Sequence, residues 1–252
     1  VVLILCAIAV CCGGYLIYHH WSVKQRELEY EKLRQEETLS AATETVIAEP
    51  ETEESTEETV IYCDPVYDFG QLHEQNQDIY AWIVVPGTQV DYPLLQSETD
   101  NYYLDYNLDH SKGYPGCIYT NQCNRKDFSD YNTVLYGHNM KNLSMFGSLK
   151  KYKTEDFYKD HQFFTIYTSE CAYRYQIFAY YDVPETDEVY TVGFAPDDTF
   201  QKFIDKMKQK SYDDTGVNVT KDDHIMTLST CSTTGKRFVV HAVRIGEHAL
   251  EK

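Results

Sequence analysis

A cysteine and an arginine stand where two strand-like runs meet a short loop. Residues 225–231 and 237–243 are rich in apolar and β-branched side chains, and the five-residue loop between them contains Gly235. This pattern is typical of a β-hairpin. If Cys231 pairs with Arg237, their Cβ atoms lie about 5 Å apart. A neighbouring cation favours the nucleophilic thiolate, so the spacing predicts a reactive cysteine. The alternative is an ordinary strand-end thiol beside a solvated charge.

Alternation along the two runs gives the predicted hairpin two different faces. One face is apolar and is expected to join the core: Met226, Leu228, Thr230, Phe238, Val240 and Ala242. The other face is mixed and is expected to line a groove: Thr227, Ser229, Cys231, Arg237, Val239 and His241.

A cysteine nucleophile needs a partner that transfers protons, and histidine is the usual one. His241 shares the mixed face but lies four residues along the strand from Arg237, roughly 13 Å away at about 3.3 Å per residue. That separation is too long for direct proton transfer. His138 follows the strand-like run 132–136 and Gly137, a position well placed for a site. The alternative is a simple loop histidine.

Taken together, these residues resemble a sortase of class B. The resemblance rests on Tyr136-Gly137-His138, on Thr227-Leu228-Ser229-Thr230-Cys231, and on the following Arg237-Phe238-Val239-Val240. It extends over residues 65–245 through further segments: 76–83, 92–96, 103–104, 136–140, 145–146 and the helix at 198–210. Ser232 and Thr233 stand where some class B members carry an acidic residue, which affects expected loop contacts with the substrate.

The resemblance implies a membrane-anchored transpeptidase of mainly Gram-positive bacteria, built on an eight-stranded β-barrel. By resemblance, Cys231 attacks the carbonyl after Thr in a carboxyl-terminal sorting signal and forms a thioacyl-enzyme. His138 then protonates the leaving amine and deprotonates the incoming one, while Arg237 stabilises the oxyanion or holds the substrate. Tyr136, Ser229 and Thr230 adjoin these positions and are expected to bind substrate, with strand packing as the alternative.

The implied partners are secreted proteins that bear a sorting signal, and a cell-wall peptide amine or its lipid-linked peptidoglycan precursor. Neither cofactor nor metal is expected. Three other functions stay open: a surface cysteine hydrolase that transfers to water, a pilus-assembling sortase, and a binding module in which Cys231 is inert.

The pattern of residues 61–252, the body of the chain, predicts a mainly β fold with flanking helices. A short helix is predicted within 65–76, and the spacing of Phe200, Phe203, Ile204 and Met207 predicts a helix over 198–210 with Asp197 or Asp198 as its cap. Eight strands are predicted, which favours a closed barrel: 80–85, 90–95, 116–120, 132–136, 164–169, 172–182, 224–230 and 237–245.

The amino end is predicted to anchor the chain in a membrane. Residues 1–18 carry no charge, and Trp21 suits the interface, so residues 1–23 are interpreted as a transmembrane anchor with its interface. A cleaved signal peptide is the alternative, because Cys12-Gly13-Gly14 offers small residues. Since the sequence begins with Val1, we expect part of the span upstream. The remainder of the chain is then extracellular.

Charge divides the rest of the chain. Residues 24–60 contain 4 basic and 12 acidic side chains and are predicted to be a stalk, helical over 24–37 and disordered beyond. The net charge of −18 argues against nucleic-acid binding, which usually needs a basic patch.

The eight cysteines give no metal-site spacing. Gln77 replaces the second histidine that an H-E-x-x-H motif beginning at His73 would need, so zinc is not expected.

Outside the apolar segment the five cysteines are an odd number, which indicates at least one free thiol. Cys117 and Cys123 could form a local disulfide.

Overall fold

Eight strands form a closed, mixed β-barrel in the computed structural model, which describes residues 2–37 and 67–249. The order around the barrel is β1-β2-β3-β4-β7-β8-β6-β5, and β5 pairs back onto β1. The β2–β3 and β4–β7 pairs are parallel, and the others are antiparallel. The strands are β1 Ile79–Val84, β2 Asp91–Leu95, β3 Ile118–Thr120, β4 Asn132–Tyr136, β5 Phe163–Tyr167, β6 Cys171–Pro184, β7 Ile225–Cys231 and β8 Lys236–Ala249.

The predicted fold class is therefore confirmed, and every predicted strand is present with ends that differ by at most four residues. The largest difference is at β8, which continues to Ala249 because it pairs with β6 along its whole length. Inside the barrel, the predicted apolar face of the β7–β8 hairpin joins the main core through Met226, Leu228, Phe238, Val240 and Ala242.

Helix α5, Asp198–Lys210, begins where predicted because the Asp197 carboxylate accepts hydrogen bonds from the backbone N–H groups of Thr199 and Phe200. The other described helices are α1 Val2–Glu37, α2 Phe69–Gln75, α3 Tyr102–Asp105 and α4 Glu155–Asp160, with 3₁₀ turns at Gly147–Lys153 and Glu188–Tyr190. Helix α2 lies inside the predicted interval 65–76 and starts after its cap, Asp68.

The predicted mixed face of the hairpin is not an open groove along its length. Helix α5 packs its apolar side onto the outside of the barrel, where Ile225, Val239 and Val243 complete a second core cluster. Thr227 and His241 are fully buried there. The expectation fails because alternation distinguishes the two faces of a sheet but does not show which element covers them. Only the end that carries Cys231 stays exposed.

Helix α1 is continuous through the apolar segment and the first part of the predicted stalk. Tyr30 and Leu33 are almost fully buried against the barrel, and Arg26 pairs with Asp109 at 2.9 Å. This part of the predicted stalk therefore contacts the body rather than solvent alone. The expectation of disorder concerns residues 38–60, which lie outside the described residues, as does Cys63.

Candidate active site at the carboxyl ends of β4 and β7

The barrel topology brings His138 and Cys231 to the same end of the barrel. Strands β4 and β7 are parallel neighbours, with Tyr136 opposite Ser229, and the Gly137 N–H donates to the Ser229 carbonyl at 3.2 Å. His138 and Cys231 each follow this paired position by two residues. Because the carboxyl ends of adjacent parallel strands lie side by side, a distant histidine and cysteine meet at one end of the barrel.

Arg237 lies directly opposite Cys231, as the hairpin pattern predicts. Its Nη1 donates to the Cys231 Sγ at 3.3 Å, and the thiol is exposed. The same nitrogen lies 3.1 Å from the Glu185 carboxylate, on the loop after β6. The guanidinium is thus held between a thiol and a carboxylate.

The His138 ring is held by contacts with α3 and with the loop that follows it. Its Nε2 lies 2.7 Å from the Leu104 carbonyl oxygen. Since a carbonyl only accepts, Nε2 carries the proton, which leaves Nδ1 as the basic nitrogen of the neutral ring. The ring also packs against Tyr114, with 4.8 Å between centroids. One nitrogen of His138 is therefore fixed as a donor, and the other can exchange protons.

Gly137 lets the chain turn tightly between β4 and His138. A Cβ atom at this position would lie 2.4 Å from Cδ1 of Ile118 and 2.9 Å from the Phe146 ring. No side chain fits without moving one of these neighbours. The close approach also allows the Phe146 N–H to donate to the His138 carbonyl at 3.0 Å.

The backbone around Cys231 is fixed from two sides. The Asn139 side-chain amide donates to the Cys231 carbonyl at 2.7 Å. On the other side, Lys153 donates to the Ser232 hydroxyl at 3.0 Å and pairs with Asp182 at 2.7 Å. Although burial alone would raise it, the pKa of Asp182 is held below its ordinary value by hydrogen bonds from Lys153 and its other neighbours.

The three predicted substrate-binding residues separate into two groups. Ser229 shares a 3.0 Å hydrogen bond with the Tyr190 hydroxyl, and Tyr136 stacks on Tyr190, so these three side chains contact one another. Burial raises the pKa of Tyr190 to about 12, which keeps this hydroxyl neutral. Thr230 instead points toward the barrel interior opposite Phe238, and its Oγ1 has no hydrogen-bond partner among the described residues. Thr230 is therefore buried beside Phe238 and is separate from the contacts of Tyr190 with Tyr136 and Ser229.

Cys117 and Cys123 are the two cysteines for which the sequence allowed a disulfide. Cys117 and Cys123 are both free thiols, so the possible disulfide is not formed. Burial raises the pKa of Cys117 to about 12, which disfavours its nucleophilic thiolate form. Within residues 2–37 and 67–249, no group of three or more His, Cys, Asp and Glu side chains could hold a metal ion.

Sequence reasoning missed four residues that shape the site. Asn139 had a local signal, because it directly follows His138. Glu185, Tyr190 and Tyr114 had none, because they lie on loops or, for Tyr190, in a short 3₁₀ turn, and the positions of these segments depend on the closed barrel. Their contacts with Arg237, Ser229 and His138 appear only in three dimensions.

Comparison with known proteins settles the family of this cysteine site. A family model described as the sortase domain matches residues 83–245, which include all three predicted catalytic residues. The chain belongs to the sortase family. Members of this family are cysteine transpeptidases, and the relatives below place this sortase with class B.

Two curated relatives carry the name sortase B. The chain is 32% identical to the Staphylococcus aureus protein over 247 residues, which covers 96% of this chain and 94% of that one. It is 39% identical to the Listeria monocytogenes protein over 163 residues, 64% of this chain and 66% of the relative.

Solved structures agree with this placement. A Staphylococcus aureus sortase B–substrate complex has a TM-score of 0.72 with 31% identity, covering 88% of this chain and 97% of that one. A Clostridium perfringens sortase B has a TM-score of 0.67 with 30% identity, covering 71% of this chain and 100% of that one.

Proposed function

We propose that this sortase cleaves a carboxyl-terminal sorting signal after Thr and transfers the resulting acyl group, with the protein attached to it, to a cell-wall peptide amine. The observation that carries the proposal is the contact of Arg237 Nη1 with the exposed Cys231 Sγ, at the end of the strand that pairs with the one leading to His138. A hydrolase would need the same nucleophile, so the acceptor amine is the decisive element of the proposal.

In the first half-reaction, the Cys231 thiol gives its proton to His138 Nδ1, its sulfur bonds to the carbonyl carbon after Thr, and Arg237 stabilises the oxyanion. The peptide C–N bond then breaks, and His138 Nδ1 gives its proton to the leaving amine. In the second half-reaction, the acceptor amine attacks the thioester and loses a proton to His138. The C–S bond breaks, and His138 returns that proton to the departing sulfur, which restores the thiol of Cys231.

The proposed donor is a secreted protein with a sorting signal, and the acceptor is a cell-wall peptide amine or its lipid-linked precursor. A relative crystallised with a substrate supports a peptide cleft in this fold. Tyr136, Ser229 and Tyr190 contact one another, and they are proposed to bind the substrate of this chain. The apolar part of α1 is proposed as a single-pass anchor, with the barrel extracellular.

The test measures the mass of the full chain in detergent after incubation with a panel of peptides that contain Thr-Gly sorting signals. We expect an adduct at Cys231 that a small amine releases faster than water does. Cys231→Ala should abolish the adduct. Cys123→Ala is the matched control, since Cys123 is also an exposed free thiol.

Release at the same rate with and without amine would favour the hydrolase. An adduct that persists in Cys231→Ala would refute the nucleophile assignment. If no peptide reacts, selective alkylation of Cys231 over Cys123 would keep the thiol assignment and exclude only the tested signals.

A further inference from the structure

The apolar half of α1 projects from the barrel with its side chains uncovered. Ile8, Leu16 and Ile17 are each more than half exposed, and the hydrophobic window of the helix is not buried by any described part of the chain. Soluble proteins rarely leave so continuous an apolar surface in water. Its length and hydropathy fit the hydrocarbon layer of a bilayer, which is the anchor proposed above.

The interface end of this segment lies against the active site. Residues 19–21 follow the uncharged stretch, and Trp21 is exposed at this level of the helix. The His19 ring lies 5.8 Å from the Tyr114 ring, and Tyr114 in turn lies 4.8 Å from His138. One exposed tyrosine therefore contacts both the membrane-proximal turn of α1 and the proposed proton-transfer residue.

Contacts farther along α1 fix this arrangement. Arg26 binds Asp109 and Ser111 at 2.9 and 2.7 Å, on the loop that carries Tyr114. The Tyr30 hydroxyl donates to the Gly116 carbonyl at 3.2 Å, at the end of the same loop. The helix rises about 1.5 Å per residue, so these contacts lie successively farther from the membrane than the His19 contact.

We infer that the active-site end of the barrel rests on the bilayer surface, with Tyr114 in the lipid headgroup layer. The inference depends on the proposed anchor. Tyrosine suits this position because its ring is apolar and its hydroxyl is polar. The active site then receives membrane-tethered substrates, such as a lipid-linked amine, more readily than it receives free peptides from solution.

Tryptophan fluorescence tests this placement in the full chain reconstituted in phosphatidylcholine vesicles. Trp21 and Trp82 are the two native tryptophans, and Trp82 is fully buried. A Trp21→Phe background leaves Trp82 as a constant reference. Tyr114→Trp then reports on the proposed contact, with a headgroup-spin-labelled phosphatidylcholine as the quencher.

Ile245→Trp in the same background is the matched control. Ile245 is as exposed as Tyr114 but lies eight residues along β8 from Arg237, about 26 Å toward the other end of the barrel. We expect the labelled lipid to quench Tyr114→Trp several-fold more strongly than Ile245→Trp. A photoreactive headgroup lipid should likewise attach to residues 105–117 of the unaltered chain and not to residues 244–249.

Equal quenching at the two positions would overturn the inference, provided that Trp21 of the unaltered chain is strongly quenched. Weak quenching of Trp21 would refute the anchor and, with it, the inference. Peptide transfer in detergent is measured separately, so a failure of the proposed chemistry remains distinguishable from both results.

Discussion

At the scale of single residues, the proposed chemistry depends on how Arg237 presents its charge. Its guanidinium is planar and has several donors in fixed directions, so Nη1 can contact Cys231 while other N–H groups reach the substrate oxyanion. A lysine ammonium provides charge without this fork. We therefore expect Arg237→Lys to lower the rate of thioacyl-enzyme formation by about 100-fold or more. Mass spectrometry of reactions quenched at successive times measures this rate.

Lys236→Ala is the control for the arginine prediction, because Lys236 is the neighbouring exposed cation. It should keep nearly the full rate. A normal rate in Arg237→Lys, with an unchanged unfolding midpoint, would remove Arg237 from the proposed chemistry.

Glu185 is a positioning residue for Arg237, which it holds at 3.1 Å. The carboxylate is about half exposed, so solvent screens the pair and its contribution is at most about 1 kcal/mol. We expect Glu185→Gln to lower the thioacylation rate by up to about fivefold. Raising the salt concentration should slow the native enzyme toward the rate of the variant, because salt screens exposed ion pairs.

Glu188→Gln is the matched control, since Glu188 lies three residues away and pairs with Lys206 instead. It should leave both the rate and its salt dependence unchanged. If Glu185→Gln responds to salt just as the native enzyme does, the carboxylate does not position Arg237.

At the scale of elements, the turn from β4 into His138 has no room for a side chain. We expect Gly137→Ala to lower the free energy of unfolding by about 1–3 kcal/mol, because its Cβ would overlap Ile118 and Phe146. The rate of thioacylation should fall as well, since His138 directly follows the displaced residue. Denaturant unfolding and peptide labelling measure the two effects.

Ile118→Val supplies a specific rescue, because it removes the Cδ1 atom nearest to the added methyl group. The double variant should recover part of the lost stability and rate. A Gly137→Ala enzyme with native stability and rate would contradict the steric argument.

The strands were predictable because each is a short apolar run bounded by turn residues, and the register of Cys231 with Arg237 follows from the hairpin loop. The burial of Thr227 and His241 beneath α5 was not predictable in this way. Helix α5 was itself predictable from its spacing, but where it docks depends on contacts between residues far apart in the sequence. Glu185 and Tyr190 were not predicted as site residues for the same reason, because their contacts also join residues far apart in the sequence.

Helix α1 gives a further prediction at this scale, because Tyr30 and Leu33 are buried against the barrel. Burying two such side chains contributes about 3–6 kcal/mol before the ordering entropy of the helix is subtracted. We expect a chain of residues 38–252 to unfold at a lower temperature than one of residues 24–252. Equal midpoints by calorimetry would show that the helix contributes no stability to the barrel.

At the scale of the whole molecule, one buried histidine links stability to pH. Burial lowers the pKa of His241 to about 3, with the nearby charge of Lys210 as a lesser cause. Its Nδ1 shares a 3.0 Å hydrogen bond with the Thr227 hydroxyl, and the ring packs against Tyr181 at 5.2 Å. Because Nε2 has no partner among the described residues, a protonated ring would be poorly accommodated.

The sign of the effect follows from which state binds more protons. An unfolded chain has an ordinary histidine pKa near 6.5, so between about pH 6.5 and pH 3 the unfolded state binds a proton that the folded state excludes. Stability from this group is fully present above pH 6.5 and is lost as the pH falls. From pH 7 to pH 5 the loss should be about 2 kcal/mol.

Denaturant unfolding at both pH values measures this loss, and His241→Gln identifies its source. Glutamine keeps a polar side chain but does not titrate, so the variant should lose about 2 kcal/mol less than the native chain over the same interval. Carboxylates titrate alike in both proteins and cancel in the difference. Equal losses would mean that His241 accepts a proton in the folded barrel, which would require water or a rearranged Tyr181 at its Nε2.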